Sequence, residues 1–192
     1  MVTDTVQSIN NLFNRKELRV LFEKLKYPIA LLIFTLIIPN FNESMLLEAF
    51  IVSMVGEIIQ IWSFGSLKKN EILACKGPYR IVRNPMYIGR FFVLLGIVIL
   101  LDNIFMFILF MISYYFYVVN RVEREERSLR RYFGKTYESY CLAVHRFLPT
   151  LRKCRQREIC YFNWNFFLEN HGHLNFMVII YCYACIYFFI SL

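Results

Sequence analysis

Five apolar runs, at Tyr27 to Pro39, Met45 to Leu67, Met86 to Leu101, Ile104 to Val119 and Leu174 to Leu192, divide this chain of 192 residues. A helix needs about 20 residues to cross a hydrocarbon core of roughly 30 Å. Inside lipid every backbone N–H and C=O must be paired within the protein, which leaves helices and closed barrels as the only spanning forms. The second and fifth runs are long enough alone. The first extends upstream as an amphipathic approach helix in which Leu18, Leu21, Phe22 and Leu25 recur at helical spacing. The third and fourth are short spans joined at Asp102 and Asn103, the turn of a helical hairpin over 86–119. Composition agrees, with 58% of residues hydrophobic and 19% charged, where an ordinary soluble domain has about 25% charged. Disorder and low-complexity readings fail on the same figures. The expectation is an all-α integral membrane protein of one domain over 1–192, with about five transmembrane helices and a cytoplasmic C-terminal helical extension. Its core covers 45–149 and its extension 150–192, with a last transmembrane helix at 174–192. A four-span version leaves that helix on the surface or buried in protein.

The basic residues give the orientation. Lys and Arg total 22: five precede the first run, five lie between Lys68 and Arg83, 11 between Arg121 and Arg157, and Arg90 sits just inside the third run. The turns at 40–44 and 102–103 carry none. Because such residues collect in short cytoplasmic loops, the N-terminus and the 68–83 and 121–173 segments are expected in the cytoplasm. The formal charge of +8 then faces anionic lipid headgroups rather than nucleic acid. Met1 to Asn14 is polar and has no apolar stretch of the signal-peptide kind. The bias toward Phe, Ile, Lys and Asn is consistent with an AT-rich genome and a bacterial inner membrane.

Cysteine and histidine add little chemistry. Cys75, Cys141, Cys154 and Cys160 fall in the expected cytoplasmic segments and should stay reduced. Cys182 and Cys185 form a C-x-x-C inside an apolar helix, where small-residue packing is the better reading than redox or zinc chemistry. His171 and His173 lie two apart, which is not a ligand spacing on a helix, and fit an interfacial loop. No metal is expected.

Two polar segments carry the information about function. In Lys76-Gly77-Pro78-Tyr79-Arg80-Ile81-Val82-Arg83-Asn84-Pro85-Met86-Tyr87-Ile88-Gly89, Gly77-Pro78 marks a turn and Pro85 suits the first turn of the third span. Asn84 is then expected to cap that helix, whose N-terminal amides with Arg80, Arg83 and Arg90 would attract an anion. A basic juxtamembrane loop that only sets topology is the plainer alternative. The second segment, Arg121 to Gly134, continues the fourth span as a charged helix in which Arg121 and Glu125, Glu123 and Arg127, and Glu126 and Arg130 stand four apart. It is either a salt-bridged solvated helix or a site where a carboxylate and an arginine just beyond the bilayer meet a ligand. Gly134 ends the helix. Tyr137, Tyr140, Val144, Phe147 and Leu148 follow as an apolar stripe, expected on the membrane face.

The string from Gly77 to Gly89, followed after the hairpin by Arg121, Glu125-Glu126, Leu129, Phe133-Gly134, Tyr137, Tyr140, Val144 and Arg146-Phe147-Leu148-Pro149, resembles the isoprenylcysteine carboxyl methyltransferase and phospholipid methyltransferase superfamily. Gly56-Glu57 with Trp62, and the tail from Phe162 and Trp164 to Asn170, are similar to a bacterial branch of it. The resemblance covers about residues 56 to 149. It implies a membrane-embedded methyltransferase with S-adenosyl-L-methionine as cofactor, open to the cytosol for that cofactor and to the bilayer for a lipid or prenylated acceptor.

Carried over residue by residue, the resemblance implies that Glu71, Ile72, Leu73 and Ala74 surround the adenosyl moiety, and that Tyr79, Asn84, Pro85, Met86, Tyr87, Glu125 and Glu126 contact the cofactor. It makes Arg121 and Glu125 the catalytic pair, with Arg121 on the acceptor. Asn84 stands where eukaryotic members have His, so a titratable imidazole is absent while hydrogen bonding survives. Gln60 stands where the bacterial branch often has Arg, removing an anion contact. Carboxyl O-methylation is preferred over phospholipid N-methylation on the Arg121 match and the motif order. An NADPH-dependent enzyme of the steroid 5-alpha-reductase type and a non-enzymatic membrane assembly factor are the readings from other classes.

Overall fold

The computed structural model describes residues 24–25, 28–29, 37–68, 71–150 and 156–191, and those residues contain helices and no strand. The approach helix and most of the first expected span lie outside them. Four helices make the frame: α1 (Leu46–Phe64), α2 (Pro85–Ile99), α3 (Ile104–Phe133) and, after the short α4 (Lys135–Ala143) and α5 (Trp164–Glu169), the apolar α6 (Gly172–Ile190). Among the described residues three helices are long and apolar enough to cross a membrane, Glu43–Phe64, Ile104–Phe133 and Gly172–Ile190, while Pro85–Ile99 is apolar but shorter. Their outward faces carry Phe105 at 78% exposure, Met177 at 67% and Tyr181 at 71%. Apolar surface of this extent marks a face that meets lipid or another apolar partner.

Asn42 and Asn103 set where helices begin. Asn103 accepts from the backbone N–H of Phe105 and Met106 at 2.9 and 3.3 Å, capping α3. Asp102 before it takes a left-handed φ of 44° to make the hairpin turn. Asn42 donates to Asp102 at 3.0 Å, and its backbone N–H donates to the Leu100 carbonyl at 2.7 Å. The two turns without basic residues therefore meet at one end of the molecule, as the charge distribution requires.

Helices α1 and α2 pack through small residues. A Cβ on Gly56 would lie 2.5 Å from the Gly89 carbonyl oxygen, and one on Gly96 would lie 2.5 Å from the Ala49 oxygen. Backbones this close gain dispersion contacts that lipid cannot replace. Across α1 the last helix is held by Tyr183, whose hydroxyl donates to the Ala49 carbonyl at 2.9 Å and lies 2.7 Å from Ser53 Oγ. Ala49, Leu100, Ile179, Tyr183 and Ile186 form the buried core there. Asn170 closes the other end of α1, donating to the Phe64 and Leu67 carbonyls at 3.1 and 2.7 Å.

The stripe after Gly134 is a correction to the expectation. Gly134 does end α3 with a positive φ of 51°, but Tyr137, Tyr140 and Val144 are buried against Leu73, Cys75, Leu129, Phe133 and Cys141. Phe147 packs on Tyr87, Val118 and Val122, and only Leu148, 72% exposed, faces outward. The stripe seals α4 onto the loop before α2 and not onto a membrane.

Candidate active site at the charged end of the hairpin

The loop between α1 and α2 is held from three directions. Gly77 takes a φ of 61° where a Cβ would strike Ser66, and Pro78 opens the single turn Gly77–Arg80. The Tyr79 carbonyl accepts from the Tyr140 hydroxyl at 2.6 Å. Arg83 N–H donates to the His145 carbonyl at 2.9 Å, and Thr150 N–H to that of Ile81 at 2.8 Å. Burial pushes the hydroxyls of Tyr79, Tyr137 and Tyr140 above the ordinary phenol range, with Glu125 and Tyr87 adding to the shift at Tyr79.

Asn84 occupies the position before Pro85, yet its side chain does not cap α2. Its Nδ2 donates instead to Glu126 Oε1 at 3.3 Å and to the Arg146 carbonyl at 3.5 Å. A hydrogen bond to a charged carboxylate is stronger than one from a neutral backbone amide. Glu126 is 2% exposed. Arg146 reaches it with Nη2 at 2.6 Å and Nε at 3.2 Å, and Arg83 Nη1 lies 3.4 Å away. The carboxylate in turn keeps the Arg146 guanidinium pKa above its ordinary value. Glu126 is thus turned inward to two arginines, where the helix spacing suggested a pair with Arg130. It locks α3 to both flanking loops.

One residue earlier, about 100° around the helix, Glu125 is half-exposed. Its Oε1 accepts from the Tyr87 hydroxyl at 2.7 Å and from Arg121 Nε at 3.0 Å. Tyr87 is fixed behind by Tyr114, whose hydroxyl donates to the Tyr87 carbonyl at 2.6 Å. Arg90 lies 5.2 Å from the centre of the Tyr87 ring and donates to the Tyr117 hydroxyl at 3.2 Å. The structure therefore brings Arg121, Glu125 and Tyr87 into direct contact, with Tyr79 beside them and Asn84 and Glu126 behind. Pro85 is buried and Met86 half-buried at the start of α2.

Glu71, Ile72, Leu73 and Ala74 stand apart from that trio. Glu71 pairs with Lys68 and Ile72 is 63% exposed. Ile72 to Lys76, with Ser66, Lys68, Tyr161 and Phe166, line a small cavity of about 150 Å³. This segment joins the trio through Tyr140, which packs with Leu73 and Cys75 and holds the Tyr79 carbonyl. Residue patterns missed Tyr114 and Tyr117, which are ordinary members of apolar helices in the sequence, and Arg90, expected to attract an anion, lies instead over the Tyr87 ring and on the Tyr117 hydroxyl. Arg146 was visible only as part of a motif. Gln60 is buried and donates to Glu57 Oε2 at 3.4 Å. Glu57 is fully buried in α1, accepts from Asn175 at 2.8 Å, and leaves Oε1 without a hydrogen bond. Cys182 and Cys185 are half-buried free thiols of α6.

Fold and site together define a helical membrane protein with its polar centre at the charged end of a hairpin. Residues 44–136 match the family model described as phospholipid methyltransferase. Over 83 residues the chain is 34% identical to a protein named "Protein-S-isoprenylcysteine O-methyltransferase" from Schizosaccharomyces pombe, a match covering 43% of this chain and 35% of that protein. It is also 34% identical over 77 residues to a "Probable protein-S-isoprenylcysteine O-methyltransferase" of Oryza sativa subsp. indica, covering 40% of each. The segment 44–136 is thus similar to phospholipid methyltransferases and to these isoprenylcysteine O-methyltransferases, and the chain spans 35% to 40% of the length of the relatives it matches. No solved structure matches it.

Proposed function

We propose that this protein transfers a methyl group from S-adenosyl-L-methionine to the carboxylate of a lipophilic acceptor, a lipid or prenylated small molecule, at the face where α3 leaves the bilayer. The observation that carries the reading is the contact of Tyr87, Glu125 and Arg121 inside the matched segment. Its donor set fits the cofactor. A half-exposed carboxylate suits a cationic ligand, and the neighbouring guanidinium suits an acid. Tyr79, Tyr87 and Glu125 would hold the cofactor, with Asn84, Pro85, Met86 and Glu126 forming the support behind them and the Glu71–Ala74 segment lying toward its adenosyl end.

Bound S-adenosyl-L-methionine supplies a methyl group on a sulfonium sulfur, whose C–S bond breaks as the new C–O bond forms, with no proton to move. The residues of this chain then have three tasks. Arg121, held by Glu125 and by Tyr87, would turn the remaining donors of its fork to the acceptor carboxylate. The Glu126 clamp holds Asn84 and the adjoining Tyr87 turn in register, which limits the loss of orientation on binding. The apolar walls of α2 and α3 exclude water from a reaction in which opposite charges are neutralised. An amine acceptor would instead need a base to make it neutral, a demand that a carboxylate avoids. The basic clusters favour the cytoplasm as the side of the site, and the bias toward Phe, Ile, Lys and Asn favours a bacterial inner membrane as the location.

Calorimetric titration of the detergent-purified protein with S-adenosylhomocysteine, with NADPH in parallel, tests this. Saturable binding of the first alone is the expected result. NADPH binding alone would transfer the reading to a reductase. Binding of neither by folded protein would favour a non-enzymatic assembly factor.

A further inference from the structure

Helix α3 has 30 residues, about 45 Å at 1.5 Å per residue. A hydrocarbon core of roughly 30 Å takes only about 20 of them. Its beginning is fixed by the Asn103 cap and the Asp102 turn, so the helix leaves the hydrocarbon near Glu123. The turns that follow run through the headgroup layer, which adds roughly 5 to 8 Å on each side. Arg124, Arg127 and Arg131 stand on those turns, three and four residues apart and hence on one face. Among the described residues these three line an open groove of about 530 Å³, a volume within the range of small-molecule sites. Arg127 and Arg131 are exposed and Arg124 is half-buried. From the first to the last the helix rises about 10 Å, so the three guanidinium groups span the depth of a lipid headgroup. Planar guanidinium forks match phosphate oxygens in pairs.

We propose that this groove binds the phosphate of an anionic phospholipid headgroup in the leaflet that α3 enters here. The groove is separate from the Tyr87, Glu125 and Arg121 contact, and the proposal holds whether or not the chain transfers methyl groups. Lipid phosphate is the source the placement favours, because a groove at headgroup depth meets that group at high local concentration. Its consequence is a protein that retains acidic lipid through purification and is oriented by it.

The test is titration of the full chain in a neutral detergent with short-chain phosphatidylglycerol, phosphatidylcholine of the same chain length, and inorganic phosphate. Saturable binding is expected for phosphatidylglycerol alone. In R127Q/R131Q, where both changes are at exposed positions, affinity should fall roughly thirtyfold, from about 1 kcal/mol for each basic residue at an anionic surface. A control pair, R130Q/K135Q, removes the same charge at exposed positions outside the groove and should bind nearly as the wild type does. Unchanged affinity in R127Q/R131Q overturns the proposal. So does an equal loss in the control pair, which would mean diffuse attraction. Equal binding of phosphatidylcholine, or inorganic phosphate binding as tightly as the lipid, overturns it as well. Thermal transitions of both variants confirm that they are folded.

Discussion

Replacing Glu126 by Ala is the most informative single change, because that carboxylate is the meeting point of three elements. At 2% exposure it satisfies Arg146 through two hydrogen bonds, Arg83 through an ion pair at 3.4 Å and Asn84 at 3.3 Å. Its loss leaves the Arg83 side chain, only 13% exposed, without its carboxylate. Breaking a buried pair by removing one partner costs about 3 to 5 kcal/mol. R146A leaves the Glu126 carboxylate with Arg83 and Asn84, so it should cost less, about 1.5 to 3 kcal/mol, the range for hydrogen bonds to a charged group. The two changes share one contact, and the double variant should fall short of additivity by about 1 to 3 kcal/mol. The assay is reversible unfolding of the detergent-solubilised protein in graded dodecyl sulfate, followed by helix signal. A Glu126→Ala variant within about 0.5 kcal/mol of the wild type, or strict additivity of the pair, would refute the clamp.

In the trio itself, Glu125→Ala should abolish S-adenosylhomocysteine binding with folding intact, and calorimetry showing normal binding would remove the assignment. Arg121→Ala should keep that binding and lose methyl transfer to lipid extract; loss of both would make Arg121 structural. Gly56→Ala places a Cβ 2.5 Å from the Gly89 oxygen and 2.6 Å from the Val93 nitrogen, so α1 and α2 must part, and unfolding should ease by about 1 to 3 kcal/mol. For pH, the buried hydroxyls of Tyr79, Tyr137 and Tyr140 titrate above the ordinary phenol value in the folded protein. Above about pH 10 the unfolded chain releases protons that the folded chain keeps. Stability should thus be full below that pH and decline as pH rises toward the folded values, which a stability series from pH 8 to 11 would show; a flat series would contradict it.

The parts of the fold legible in the chain are those governed by local rules. Run length marked α1, α2, α3 and α6, Asn103 and Gly134 marked the ends of α3, and the Arg121–Glu125 pair follows from helical spacing. Misreadings arise where a residue had two partners to choose between. Asn84 is a good cap by type, but the Glu126 carboxylate, 42 positions away, outcompetes the helix amides. Glu126 has Arg130 four residues on, yet Arg146 and Arg83 offer pairing in a buried setting. Tyr137 and Tyr140 form a stripe that would suit a membrane surface, and the 73–75 segment covers it first. Periodicity reports that a face must be buried and is silent on what buries it. The Tyr114 and Tyr117 hydroxyls around Tyr87 come from apolar stretches, where composition hides single polar atoms.

The hydrogen bonds from Asn170 to the end of α1 carry a consequence for biosynthesis. The Leu67 carbonyl waits for a side chain 103 positions later in the chain, and the Tyr161 carbonyl, bonded to Ser66 and Trp62, also arrives late. At roughly 5 to 20 residues per second, the end of α1 waits about 5 to 20 seconds before Asn170 is made. During that interval the carbonyls at the end of α1 must be borne by water at the membrane surface. A nascent chain stalled before Asn170 should therefore be digested at 64–68 by a protease added outside the ribosome, and one released after it should not.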